Sequence, residues 1–127
     1  MRGKEEAKIH IAICDYIRLQ YPKTVFTSEA GGIYTTMSQA RLIKRTRSSV
    51  GIPDLIIFEP RGEFCGLFLE IKKDGTSIYK KNGEFVSSEH LNNQRAVMET
   101  LISKGYACYF VIGFDNAKQI LDNYMAL

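Results

Sequence analysis

Apolar positions along the 127-residue chain fall into two spacings, one helical and one strand-like. Ile9, Ala12, Ile13, Tyr16 and Ile17 recur at intervals of three and four, which marks the buried face of a helix over about residues 4 to 20. Pro22 bars its continuation. Leu91, Gln94, Met98, Leu101 and Ile102 form a second stripe, on a helix N-capped by Ser87 or Ser88 and ended by Gly105. A third, shorter stripe of Ala117, Ile120, Leu121 and Tyr124 predicts a helix over about 116–124. Residues 38–47 are polar and basic, a candidate helix with Ala40 and Ile43 as its few apolar anchors. Strand-like runs lie at 25–29, 55–58, 66–72 and 106–112, and Ala30-Gly31-Gly32 breaks the first of them. The last is continuously apolar, which predicts cover on both faces. Asn82-Gly83 predicts a small protruding hairpin over 78–86, with positive φ at both central positions.

The connections set the topology. The short turn at 59–63 predicts an antiparallel hairpin between the second and third strands. The helix after the third strand predicts a right-handed crossover to a parallel fourth. The expected fold is α/β: a mixed sheet flanked by helices on both faces, in one domain spanning 1–127.

One strand departs from this pattern. In Gly66-Leu-Phe-Leu-Glu-Ile-Lys-Lys73, alternation turns Leu67, Leu69 and Ile71 to one face and Phe68, Glu70 and Lys72 to the other. At a frayed strand end those two charges would simply meet water. Within the sheet they would need partners. Asp54, after Gly51-Ile52-Pro53, opens the preceding strand, so antiparallel pairing brings it beside Glu70 at the end of its neighbour. Glu6 lies on the inward face of the first helix, where a first-turn acid also suits the helix dipole. Gln94 is an amide on an apolar stripe, so it finds an internal partner or lines a site.

Charge and composition narrow the chemistry. The net charge is +3, unevenly placed. Arg41, Lys44, Arg45 and Arg47 occur with no acid between Tyr34 and Pro53, and Lys72, Lys73, Lys80 and Lys81 are opposed only by Asp74. Such clusters fit nucleic acid, and they also fit an ordinary solvated face. Three cysteines without metal spacing read as reduced thiols, and the charged N-terminus shows no signal peptide, so an intracellular setting is expected. No apolar run approaches the roughly 20 residues of a membrane span. Adjacent carboxylates repel unless a cation joins them, and oxygen donors suit Mg²⁺ or Mn²⁺. Asp54, Glu70 and Lys72 together suit phosphodiester hydrolysis. Two other readings are an internal ion pair with a capping aspartate, and a binding module that does not cut.

Pro53-Asp54 followed by Glu70-Ile71-Lys72 resembles the PD-(D/E)XK nucleases. With Glu6 in the first helix, Gly51-Ile52-Pro53-Asp54-Leu55, Leu69-Glu70-Ile71-Lys72 and the helical Gln94, the chain more narrowly resembles the VRR-NUC family, the virus-type replication-repair nucleases. The resemblance implies a restriction-endonuclease-like fold and Mg²⁺- or Mn²⁺-dependent DNA cleavage in phage-type replication, recombination or repair, in the host cytoplasm. It implies that Asp54, Glu70 and the backbone carbonyl of Ile71 bind the metal, that Lys72 is the catalytic lysine, and that Glu6 acts through water. Gln94 would position Lys72 or the attacking water. Arg41, Lys44, Arg45, Arg47 and Lys73 are the expected DNA contacts. Members of this size imply a homodimer acting on branched DNA such as four-way junctions. The 78–86 hairpin is longer than the pattern needs.

Overall fold

A computed structural model describes residues 3–29 and 36–127; the Ala30-Gly31-Gly32 break lies outside the described residues. Helix α1 (Lys4–Gln20) leads to strand β1 (Phe26–Ser28), helix α2 (Met37–Arg45), and strands β2 (Leu55–Ile57) and β3 (Leu67–Lys72). Helix α3 (Glu89–Ser103), strand β4 (Ala107–Ile112) and helix α4 (Gly113–Met125) follow. The strands form one mixed sheet in the order β1-β2-β3-β4. β1–β2 and β2–β3 are antiparallel and β3–β4 is parallel, as the short turn and the α3 crossover require.

Alternation on β3 sorts the molecule into two sides. Leu67, Leu69 and Ile71 enter a core with Leu55, Ile57 and Val111, covered by Ile13 and Ile17 of α1 and Leu121 of α4. The two helices are also tied by polar groups, because the Tyr16 and Tyr21 hydroxyls each donate to Asp122 Oδ1 at 2.7 Å. On the other side α3 buries Met98 and Gln94, and Phe68 packs edge-on against Tyr106 with ring centroids 5.2 Å apart. Among the described residues no helix is long and apolar enough to cross a membrane.

Four expectations need correction. The run at 106–112 is not covered throughout: among the described residues β4 is an edge strand, and Tyr109 is 41% exposed between buried Ala107 and Val111. Ile102 points to solvent, because the stripe on α3 turns past the sheet after Met98. Helix α4 starts at Gly113 rather than near 116. Its first turn is held by Asn116 Oδ1, which accepts the Ile112 N–H at 2.8 Å. The 78–86 hairpin has its Tyr79–Phe85 bridge, yet only Gly83 takes positive φ. The Gly83 N–H donates to the Lys80 carbonyl at 2.9 Å, so the turn is one residue longer and Asn82 stays right-handed.

Helix α2 differs from the others in burying no residue. It forms because Thr36 caps it with a reciprocal box: Thr36 Oγ1 accepts the Gln39 N–H at 3.2 Å, and the Gln39 side chain accepts the Thr36 N–H at 3.0 Å. Arg41, Lys44 and Arg45 therefore stand on an exposed helix.

Candidate active site

The register of the sheet builds the site. β2 pairs Leu55 with Leu69, so the next pair outward sets Asp54 opposite Glu70 on one face. The two are locked by main-chain groups. The Asp54 N–H donates to Glu70 Oε2 at 3.1 Å, and the Ile71 N–H donates to Asp54 Oδ2 at 2.8 Å. β1 extends the row: the Glu29 N–H donates to the Asp54 carbonyl at 2.8 Å. Arg47 closes on Glu29 with an N–O distance of 3.5 Å.

The end of β3 is not frayed. Glu70 is 3% exposed, Lys72 8% and Gln94 4%. Lys72 Nζ donates to Gln94 Oε1 at 3.0 Å, and Gln94 Nε2 donates to Glu70 Oε1. One amide thus bridges a buried ammonium and a buried carboxyl, giving each polar group a partner.

Helix α3 comes this close because of one glycine. Gly51 has φ +88°, and a Cβ there would lie 2.9 Å from the Asn93 carbonyl carbon and oxygen. Gly51→Ala would both strain the loop and push it off α3, separating Gln94 from Asp54 and Glu70. The expected result is a loss of about 2 kcal/mol or more in stability, read by denaturant unfolding. Unchanged stability would show that the loop and α3 do not meet there.

Electrostatics single out Glu70. Burial pushes its carboxyl up, and hydrogen bonding to and charge on Asp54 push it further, against the pull of Lys72, to about 9. The pair therefore resists carrying two negative charges side by side. The row opens on a cleft of about 430 Å³. Glu6, Asp54, Glu70, Lys72 and Gln94 all line it, so the five residues marked in the sequence as catalytic converge. Ile71 joins through its N–H. Of the basic residues, Arg47 lines the cleft, whereas Arg41, Lys44, Arg45 and Lys73 are exposed on the outside.

Two ionisable lining residues were not marked in the sequence, Glu29 and His90. Glu29 follows β1, and only the β1–β2 pairing sets it level with Asp54. His90 precedes Gln94 by one helical turn, a spacing that could have pointed to it.

Among the described residues no group of three or more His, Cys, Asp or Glu side chains is arranged to hold an ion. A hard divalent cation still fits the donors present. Mg²⁺ is commonly held by one or two carboxylates and keeps several waters. Asp54 and Glu70 supply two adjacent carboxylates at an open cleft, and a cation would relieve their mutual repulsion.

A scan against protein-family models gave no match, and neither did a search of curated protein sequences. Solved structures do match. A chain described as a VRR_NUC domain protein aligns over 100% of this chain and 93% of its own length, with a TM-score of 0.68 and 25% identity. A second, described as a VRR_NUC domain, aligns over 96% of this chain and 99% of its own, with a TM-score of 0.55 and 20% identity. The four-stranded sheet and its flanking helices are therefore those of the VRR_NUC fold, a nuclease-type fold.

Proposed function

We propose that this chain, whose fold is that of VRR_NUC domain proteins, is a Mg²⁺- or Mn²⁺-dependent endonuclease that hydrolyses DNA phosphodiester bonds. The observation that carries the reading is the buried Glu70–Gln94–Lys72 bridge set beside Asp54 at the floor of an open cleft. Burying an ammonium and a raised carboxyl in one network costs desolvation energy, and perturbed groups of this kind cluster in functional clefts.

Asp54 and Glu70, with the Ile71 carbonyl, would hold the cation. When bound, such an ion polarises a phosphoryl oxygen and acidifies a coordinated water. Lys72 presents its ammonium to the charge that builds on the phosphoryl oxygens during attack. Gln94 directs that ammonium, since its Oε1 is the partner that fixes Nζ. Glu6, on the wall of the cleft, would act on the metal through a water. Arg47 approaches the phosphate inside the cleft, while Arg41, Lys44, Arg45 and Lys73 would carry the flanking backbone.

Branched DNA, four-way junctions above all, is the substrate class we favour, cut by a homodimer in phage-type replication, recombination or repair. A junction offers two equivalent strands, and a twofold pair of chains offers two sites to meet them. The test is incubation of the purified protein with linear duplex, flap and four-way-junction DNA, in Mg²⁺, Mn²⁺ or chelator. The expected result is metal-dependent cutting, fastest on the junction. Metal-dependent binding to the junction without cutting would leave a structured-DNA-binding module instead.

Neutralising Arg45 and Arg47 together should weaken binding to all DNA sequences alike. It should also lower the salt slope by about 2, one for each phosphate that no longer meets a cationic side chain. A slope equal to that of the unmodified protein would remove both residues from the phosphate interface.

A further inference from the structure

We propose that His90 is a positioning residue for this reaction, fixing the Gln94 amide and, through it, Lys72. The inference rests on the reading of the cleft as a phosphodiesterase site.

His90 lies one helical turn before Gln94 on α3, so the two side chains share a face. It lines the same cleft, and its Nε2 is 3.0 Å from Gln94 Nε2. The direction of that hydrogen bond follows from the neighbours. An ammonium has only donors, so the amide must turn its oxygen to Lys72. Both amide hydrogens then face the other way. One goes to Glu70 Oε1 and the other to His90 Nε2. A reversed amide would set two donors against Lys72, so the ammonium selects one orientation and the His90 tautomer follows it. His90 Nε2 accepts only when the ring proton sits on Nδ1, which fixes the tautomer.

Gln94 is 4% exposed with the exposed His90 imidazole between it and the cleft, so a water that replaced the imidazole would exchange with the cleft and hold the amide less firmly. Without the imidazole that amide hydrogen meets only exchangeable water, and the amide is held by two fixed hydrogen bonds instead of three. Lys72 then loses part of its fixed direction, while the basic residues that hold the DNA are untouched. The loss belongs in turnover and not in substrate affinity.

The experiment compares His90→Leu and His90→Gln with the unmodified full-length chain. Steady-state cleavage of four-way-junction DNA in Mg²⁺ is read together with solvent exchange of the Gln94 side-chain amide by nitrogen–proton NMR. Gln94→Glu identifies that amide signal. His90→Leu is expected to lower kcat about tenfold, the scale of a single hydrogen bond, with KM within about twofold of the unmodified value. It should also speed exchange of the Gln94 amide. His90→Gln, whose Oε1 reaches as far as the imidazole Nε2, should restore most of kcat and the slow exchange. Overturning results are His90→Leu with kcat within about twofold of normal, a rise in KM at unchanged kcat, or Gln94 exchange unaltered. Failure of the unmodified protein to cut any DNA would instead sink the nuclease reading. The amide exchange would still decide the His90–Gln94 hydrogen bond.

Discussion

Lys72→Met is expected to lower cleavage at least about a hundredfold while the chain stays folded. A preorganised donor aimed at charge that develops in the transition state is worth roughly this much or more. Lys72 meets the structural requirement, since it is 8% exposed and its ammonium is held by Gln94 Oε1 at 3.0 Å. It needs little reorganisation when the phosphoryl oxygens gain charge. Methionine keeps the length and apolar stem of the side chain, so the fold gives up a hydrogen bond rather than volume. Lys72→Arg should rescue little, because a planar guanidinium does not fit a pocket shaped for a compact ammonium. The check is initial-rate cleavage beside far-ultraviolet circular dichroism. A folded Lys72→Met protein that cuts at the normal rate would remove Lys72 from the chemistry.

Glu70 makes the second large prediction, and its sign follows from linkage. The folded-state pKa is raised from 4.5 to about 9, so between those values the folded protein holds a proton that the unfolded chain has released. The stabilising effect is complete below about pH 4.5 and is lost as pH rises through about 9. The metal-free protein should therefore lose at least about 2 kcal/mol between about pH 5 and pH 9 from this group, since each unit of separation carries about 1.4 kcal/mol. In the proposed mechanism a divalent ion would take the place of that proton, so added Mg²⁺ should raise Tm more at about pH 8.5 than at about pH 6. Glu70→Gln, which mimics the neutral form, should flatten the pH dependence, abolish the response to Mg²⁺ and abolish cutting. Thermal unfolding across pH, with and without Mg²⁺, reads the first two effects, and the junction-cleavage assay reads the third. A Glu70→Gln protein that still responds to Mg²⁺ would place the ion elsewhere.

The strand pair and its carboxylates were legible in the sequence because both rest on local rules. Period-two alternation put Leu69 and Ile71 into the core and Glu70 and Lys72 on the other face. A tight antiparallel turn then forced Asp54 beside Glu70. What was illegible depends on pairings distant in sequence. Glu29 enters the row only because β1 pairs with β2. Arg47 looked like its basic neighbours until its approach to Glu29 drew it into the cleft, away from Arg41, Lys44 and Arg45. Tyr109 read as buried because its run is apolar, and only the strand order reveals that β4 lies at an edge. The Asn82-Gly83 turn was recognised by composition, while its length was set by the Lys80–Gly83 hydrogen bond.

The cation is the step on which the rest turns, and Mn²⁺ makes it visible. Crystals of the unmodified protein soaked in Mn²⁺ should show an anomalous peak about 2.1 Å from a carboxylate oxygen of both Asp54 and Glu70, and crystals of Asp54→Asn should not. A peak elsewhere, or none at a concentration that supports cleavage, would contradict the account.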